Sequence, residues 1–100
     1  MGTPEREHAP RFVRDRVGVV SLGLMGGSFA RALHLGGHEV YASNRTRATL
    51  ELAMIDTVDA ELTDDAIGTC ELIILAGYPQ MTIDWLVGHQ DLVAPNAIVI

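Results

Sequence analysis

The sequence has no lysine, a single cysteine, and no apolar run that approaches the length of a membrane span. A transmembrane helix needs about 20 consecutive apolar residues, so no membrane partner is expected. The lone Cys70 excludes an internal disulfide framework, and a reducing, cytoplasmic setting is therefore expected. The first 16 residues are charged and contain two prolines without an apolar segment, which is not the pattern of a secretory signal.

Positive charge is also scarce in the body of the chain. From Val17 onward there are three arginines against ten acidic residues, a net charge of −7. Nonspecific nucleic-acid binding needs a basic field, so this acidic body excludes it. Arg45 and Arg47 lie close together and form a local exception. Because 48% of the residues are apolar, the chain can build a core, as one small domain or as part of a larger one.

What the sequence does contain is a glycine-rich corner between an apolar strand and a helical pattern, in residues 16–37. Ser21 stands where the first glycine of G-x-G-x-x-G belongs, and Gly23 and Gly26 occupy the next two glycine positions. Gly23 would let the backbone approach a pyrophosphate, while Gly26 would allow close packing of strand on helix. The N–H groups at the helix start would face the phosphates. The corner predicts nucleotide binding; the alternative is a glycine corner kept only for packing.

The helix after the corner is predicted to bury one stripe of side chains. The i, i+4, i+7 spacing assigns to this stripe Met25, Phe29, Ala32, Leu33 and Gly36. The Gly36-Gly37 pair is expected to end the helix in a left-handed turn.

Strands and helices alternate along the rest of the chain. The predicted strands cover residues 16–21, 39–43, 60–62, 72–76 and 97–100, with helices at 47–55, after a Thr63 cap, and from Met81 to His89. Thr46 is expected to cap the first of these helices. The alternation predicts an α/β fold with a Rossmann-type doubly wound parallel sheet that is truncated after its fifth strand. Residues 1–15 are expected to be a flexible tail, and 16–100 an incomplete NAD(P)-binding domain.

The end of the second strand indicates which dinucleotide is bound. NAD-binding units commonly carry Asp or Glu there to hold the ribose 2′-hydroxyl. Here Asn44 takes that place and is followed by Arg45, Thr46 and Arg47. Guanidinium groups pair with a 2′-phosphate, which a carboxylate would repel. The pattern favours NADP over NAD, although two solvated arginines at a helix start would look the same.

A third candidate segment follows the fourth strand, where ligands of such sheets bind. The backbone of Ala76 and Gly77 is predicted to line the ribose and nicotinamide side of the cofactor, with Tyr78 as a wall. A loop tyrosine that merely covers the sheet is an equal alternative. Together the three segments give the candidate cofactor-binding residues Gly23, Leu24, Met25, Gly26, Asn44, Arg45, Thr46, Arg47, Ala76, Gly77 and Tyr78.

Other chemistry-bearing residues favour structural roles. The four histidines, at 8, 34, 38 and 89, share no metal-ligand spacing, so no metal site is predicted. Cys70 precedes a buried strand without a recognisable base and is expected to be a buried structural thiol. Met81 and Trp85 are most simply core residues. No nucleophile–base pair can be identified, and no catalytic residue is assigned.

The sequence resembles the prephenate dehydrogenases of the 6-phosphogluconate-dehydrogenase-like superfamily, from about residue 16 to the end. The resemblance is carried by residues 17–20, by the Gly-Leu-Met-Gly-Gly-Ser run at 23–28, by 37–40, and by the later strands at 72–76 and 95–99. It departs at Ser21, which replaces a family glycine, and at Gly77-Tyr78-Pro79, which replaces valine-proline.

The resemblance implies oxidative decarboxylation of prephenate or arogenate, with hydride transfer to NADP or NAD, in tyrosine biosynthesis. It also implies that the catalytic histidine, the substrate-binding residues and a helical dimerisation domain lie beyond residue 100. The full-length protein would then be a homodimer, and the isolated chain would bind cofactor without turnover. The alternatives are a β-hydroxyacid dehydrogenase or imine reductase with the same corner, or a truncated, non-catalytic nucleotide-binding module.

Overall fold

The structure, a computed structural model, describes residues 13–100, so most of the predicted tail lies outside the described residues. Strand β1 (Val13–Val20) begins before the predicted residue 16. Its first part pairs with the strand that begins at Cys70 through a register shift between Val13 and Val17. Asp15 lies in this irregular part with a φ of 65°, and its backbone N–H donates to the Glu71 carboxylate at 2.7 Å. No periodic pattern predicts this bulge, which lies between Val13 and the apolar part of the strand.

The remaining elements alternate as predicted. They are α1 (Leu24–Leu35), β2 (Glu39–Ser43), α2 (Arg47–Asp56), β3 (Ala60–Glu61), α3 (Asp64–Ile67), β4 (Cys70–Leu75), α4 (Pro79–His89), a 3₁₀ turn (Gln90–Leu92) and β5 (Ile98–Val99). Thr46 and Thr63 occupy the N-cap positions of α2 and α3, but neither side chain makes a capping hydrogen bond. Within residues 13–100, no helix has both the length and the apolarity to cross a bilayer.

The five described strands form one parallel sheet in the order β3-β2-β1-β4-β5. This confirms the predicted Rossmann-like α/β fold. Val20 at the end of β1 is in register with Ser43 of β2 and with Leu75 of β4. The loops that leave these three strands therefore start at the same level along one edge of the sheet.

The sheet is buried on both faces by two apolar clusters. One contains Val17 and Val19 of β1 with Ala30 of α1, and the other contains Val20 with Cys70 and Ile73 of β4. Alternate β1 side chains point to opposite faces, so this strand contributes to both clusters. A strand covered on both faces is expected to be apolar throughout, as residues 17–20 are.

Helix α1 buries a different stripe from the predicted one. Gly26 and Ala30 are buried, and Leu33 packs partly against the core. In the predicted stripe, Met25 is 64% exposed and Phe29 is 40% exposed. The stripe prediction was therefore correct for Leu33 and wrong for Met25, Phe29, Ala32 and Gly36, which are exposed. The helix is rotated so that Gly26 and Ala30 face the sheet instead.

The position of Gly26 explains this rotation. A Cβ at Gly26 would overlap the carbonyl oxygen of Ser21 and would lie 3.1 Å from the Cβ of Ala76. Only a residue without a side chain can occupy this contact, so Gly26 faces the sheet and Ala30 follows one turn later. Hydrophobic periodicity missed it because glycine carries no apolar signal.

Cys70 is fully buried, as predicted for a structural thiol. Its Sγ lies 3.6 Å from the Ala66 carbonyl oxygen, and burial raises the pKa of the thiol to about 11. Because the folded state holds this proton more tightly than the unfolded chain, the contribution to stability is complete below about pH 9. It is lost as the pH rises toward 11.

We therefore expect the free energy of unfolding to fall by about 2 kcal/mol between pH 8.5 and 11 from this thiol alone. Urea denaturation of the wild type and of Cys70→Ala at several pH values measures the difference. The absence of lysine makes the alkaline background small. Identical pH slopes in the two proteins would show that Cys70 titrates in the folded state as it does in the unfolded chain.

Candidate cofactor site

A cavity of about 670 Å³ opens at the edge of the sheet where β1, β2 and β4 end. Its walls come from the loops after these strands and from the first turns of α4. The lining residues are Val20, Ser21, Ser43, Asn44, Arg45, Tyr78, Gln80, Met81, Asp84 and Trp85. Three predicted site residues, Asn44, Arg45 and Tyr78, therefore meet in one cavity, from two loops more than 30 residues apart in the sequence.

The glycine corner is tied to the strands on either side of it. The backbone N–H of Ser21 donates to the Ser43 carbonyl at 2.8 Å, and that of Ala76 donates to the Val20 carbonyl at 3.0 Å. Ser21 has a φ of 80°, a left-handed conformation that favours glycine. The corner thus keeps the backbone of the glycine motif although serine stands at its first position.

The start of α1 presents unsatisfied backbone donors. Gly23 is the N-cap, it supplies no side-chain hydrogen bond, and the first turn contains no acidic residue. The first backbone bond of the helix runs from the Gly27 N–H to the Gly23 carbonyl, at 2.8 Å. This leaves the N–H groups of Leu24, Met25 and Gly26 without helical partners, at the positive end of a 12-residue helix. The space beside Gly23 is open, since a Cβ there would meet nothing nearer than 4.0 Å.

Asn44 connects the end of β2 to the glycine corner. Its Oδ1 accepts from the Leu22 N–H at 2.8 Å, and its Nδ2 donates to the Thr46 carbonyl at 3.0 Å. The side chain therefore holds two loops of the site in register. Sequence reasoning assigned Asn44 to the cofactor but missed this bridging role, for which the asparagine after a strand was the only signal.

The two neighbouring arginines have different surroundings. Arg47 forms ion pairs with Glu61 at 2.8 Å and with Glu51 at 3.3 Å, and the hydrogen bond to Glu61 is the main cause of its raised pKa. Arg45 is exposed, lines the cavity, and forms no ion pair with any residue from 13 to 100. Thr46 and Arg47 do not line the cavity, so the local positive charge toward it comes from Arg45.

The segment after β4 contributes to the cavity wall through its tyrosine. Tyr78 is 85% exposed and forms part of the cavity wall. Ala76 lies under the corner, near Gly26, and Gly77 is covered by the Met81 side chain. Neither Ala76 nor Gly77 lines the cavity. Their contact with the ribose and nicotinamide side of the cofactor stays a prediction.

One face of α4 supplies a wall that sequence reasoning missed. Gln80, Met81, Asp84 and Trp85 line the cavity, and their i, i+1, i+4, i+5 spacing was the available signal. Met81 and Trp85 also pack against the second apolar cluster, so their predicted core role is partly correct. The Asp84 carboxylate accepts from Gln80 Nε2 at 2.9 Å and is the acidic side chain of the cavity.

The described histidines do not line this cavity. The His89 ring stacks on Trp85 with centroids 4.6 Å apart, and its Nδ1 lies 2.7 Å from the Trp85 carbonyl oxygen. His34 and His38 lie near the end of α1, and His8 falls outside the described residues. Within residues 13–100 no group of three potential metal ligands comes together.

Comparison with known structures agrees with this geometry. Over 84% of the chain, the structure matches Synechocystis arogenate dehydrogenase with a TM-score of 0.78 and 32% identity. It matches Streptomyces aurantiacus imine reductase over 84% of the chain with a TM-score of 0.72 and 28% identity. (S)-3-hydroxybutyryl-CoA dehydrogenase PaaH1 from Ralstonia eutropha, at 17% identity over 85% of the chain and a TM-score of 0.69, shares the fold.

The chain spans only part of each of these proteins, covering 31% of the arogenate dehydrogenase, 30% of the imine reductase and 39% of PaaH1. No curated protein sequence matches the chain. A family described as the NAD binding domain of 6-phosphogluconate dehydrogenase matches residues 16–97. The chain therefore belongs to this family of dinucleotide-binding domains.

Proposed function

We propose that this chain is the cofactor-binding portion of an NADP-preferring dehydrogenase that acts on prephenate or arogenate. The observation that carries the proposal is Ser21, at the first position of the glycine corner, which lines one cavity with Arg45. The uncapped N-terminus of α1 begins three residues later, at Leu24, although residues 23–26 do not themselves line this cavity. Such a donor set suits a pyrophosphate, and the cation suits a phosphate on the ribose. The substrate assignment draws on the 32% identity to an arogenate dehydrogenase and on the resemblance carried by residues 23–28.

In this proposal the nicotinamide supplies the hydride chemistry, and the chain binds and orients it. The N–H groups of Leu24, Met25 and Gly26 hold the pyrophosphate, and the Arg45 guanidinium pairs with the 2′-phosphate. Asn44 keeps the two loops at a fixed separation. Tyr78 and the α4 face form the opposite wall.

The preference for NADP is supported by the different ion pairing of Arg45 and Arg47. Arg47 already has two carboxylate partners, whereas Arg45 retains its donors for a ligand. The opposing observation is Asp84, because a carboxylate in the same cavity could accept from a ribose 2′-hydroxyl and so favour NAD. Asp84 is exposed and engaged by Gln80, which makes Arg45 the stronger determinant.

Titration of the chain with NADPH and with NADH, followed by nicotinamide fluorescence, tests the proposal. We expect NADPH to bind at least tenfold more tightly than NADH. Equal binding would contradict the NADP preference alone. Absence of binding by either nucleotide would contradict the cofactor site itself and leave a domain that keeps the fold without the ligand.

An imine reductase is the second candidate, favoured by the 28% identity to the Streptomyces aurantiacus enzyme. The two candidates share the cofactor half and differ in what they do with the hydride. Assays of the natural gene product with prephenate, arogenate and a cyclic imine separate them. Oxidation of prephenate or arogenate supports the first candidate, and reduction of the imine supports the second.

Asn44 provides a prediction about site geometry. We expect Asn44→Ala to weaken NADPH and NADH binding alike, by roughly 5- to 10-fold, because it releases the Leu22 N–H and loosens both loops. The NADPH/NADH ratio should stay unchanged. Asn44→Asp keeps the acceptor for Leu22 but adds a carboxylate at the end of β2, so its ratio should move toward NADH. A ratio altered by Ala and unaltered by Asp would assign Asn44 a different role.

A further inference from the structure

Ser21 occupies a backbone conformation that serine does not favour. Its φ of 80° lies in the left-handed region, and Asp15 is the other described non-glycine residue with a positive φ. Aspartate is enriched in this region of φ, whereas serine is not. Glycine adopts the same conformation without the steric penalty of a Cβ. Neighbouring segments fix this conformation. The Ser21 N–H donates a hydrogen bond to the Ser43 carbonyl, and the Ser21 carbonyl oxygen packs against Gly26. A serine at this position is therefore a local cost to the fold.

The serine side chain lies in the cofactor cavity. Ser21 lines it together with Asn44 and Arg45. Its Oγ lies 4.0 Å from where a Cβ of Gly23 would stand. The Ser21 hydroxyl forms no hydrogen bond with any group in residues 13–100. Its oxygen is not buried, so it remains accessible from the cavity. The hydroxyl is thus an accessible, unused donor in the wall of the site.

A bound anion would give the Ser21 hydroxyl a hydrogen-bond acceptor. The hydroxyl stands beside the uncapped N-terminus of α1, where the backbone donors suit an anion. An O–H group that donates to a phosphate oxygen forms a charge-assisted hydrogen bond, which is stronger than a neutral one. Residues held in sparsely populated backbone conformations cluster at active sites and ligand-binding sites.

We propose that the Ser21 hydroxyl is a cofactor contact that glycine at the same position cannot supply, donating a hydrogen bond to a pyrophosphate oxygen of the dinucleotide. This inference rests on the proposed dinucleotide site and extends it to a residue outside the glycine motif's usual chemistry. In this proposal Ser21 lowers the stability of the free protein at the corner and raises its affinity for the dinucleotide.

Two substitutions separate the hydroxyl from the strain. Ser21→Gly removes both, so we expect a higher melting temperature and roughly 5- to 30-fold weaker NADPH binding. Ser21→Ala removes the hydroxyl and keeps the strained Cβ, so we expect the same loss of affinity without the gain in melting temperature. Ser28→Ala is the matched control, because the Ser28 hydroxyl already donates to the Leu24 carbonyl at 2.9 Å and lies outside the cavity. It should leave NADPH affinity unchanged.

The outcomes are distinguishable. Isothermal titration calorimetry with adenosine 2′-monophosphate, which lacks the pyrophosphate, should show no difference between the wild type and Ser21→Gly. If Ser21→Gly binds NADPH as tightly as the wild type or more tightly, the serine is only a tolerated replacement and the inference fails alone. If the wild type binds no dinucleotide, the inference fails together with the proposed function.

Discussion

Gly26→Ala is expected to abolish measurable NADPH binding and to lower the free energy of unfolding by about 1–3 kcal/mol, the range of overpacked sites. The added Cβ would overlap the Ser21 carbonyl oxygen, a backbone atom that cannot rotate away. Either α1 must move off the sheet or the corner must shift, and each movement displaces the Leu24 and Met25 N–H groups relative to Ser21. Urea denaturation and fluorescence titration measure the two effects.

The neighbouring glycine is the control for this prediction. A Cβ at Gly27 would lie 3.6 Å from the Leu22 carbonyl oxygen, which is an ordinary van der Waals contact. Alanine is the better helix former, so Gly27→Ala should be neutral or stabilising by up to about 1 kcal/mol, with NADPH affinity retained. If the two alanine variants bind NADPH equally well, the close packing of α1 on the corner is not what shapes the site.

Arg45→Ala is expected to remove the preference for NADPH, with a loss of about 10- to 100-fold in NADPH affinity and little change for NADH. The guanidinium is the cation of the cavity, and its pairing with a 2′-phosphate would be charge-assisted. Because exposed ion pairs are screened by salt, the NADPH/NADH ratio of the wild type should also fall as ionic strength rises. Paired titrations at low and high salt measure both quantities.

Arg47→Ala is the matched control for charge. It removes the same formal charge two residues away, from a guanidinium held by Glu51 and Glu61. We expect the nucleotide ratio to survive this change. If Arg47→Ala erases the preference and Arg45→Ala does not, the 2′-phosphate lies on the α2 side of the loop and the assignment made from the cavity is wrong.

The order of strands and helices could be predicted from the sequence because its signals are local. The apolar residues 17–20 and 72–75 indicate buried strands, and the glycines at 23 and 26 lie where a strand turns into a helix. Such patterns need no knowledge of distant neighbours. The parallel arrangement then follows from the alternation of elements, and it places the loops after β1, β2 and β4 together.

What the sequence could not show depends on contacts between distant residues. The pairing of Arg47 with Glu61 joins α2 to β3, and only the fold distinguishes Arg47 from Arg45. The bridge from Asn44 to Leu22 spans 22 positions. The rotation of α1 depends on a contact of Gly26, which has no side chain to show in a hydrophobic pattern. In each case the deciding contact joins residues that are not neighbours in a local sequence pattern.

The proposed dinucleotide site is tested most directly by a map of backbone amide shifts by NMR as NADP⁺ is added to the chain. We expect the largest changes at Ser21, Asn44 and Arg45, which line the cavity, and at residues 22–26, which lead from Ser21 into α1. Little change is expected at the other end of the sheet, around His38 and Glu71, where a separate groove lies. Shifts concentrated at that end, with residues 21–26 unaffected, would contradict the claim that the uncapped helix and its glycine corner hold the dinucleotide.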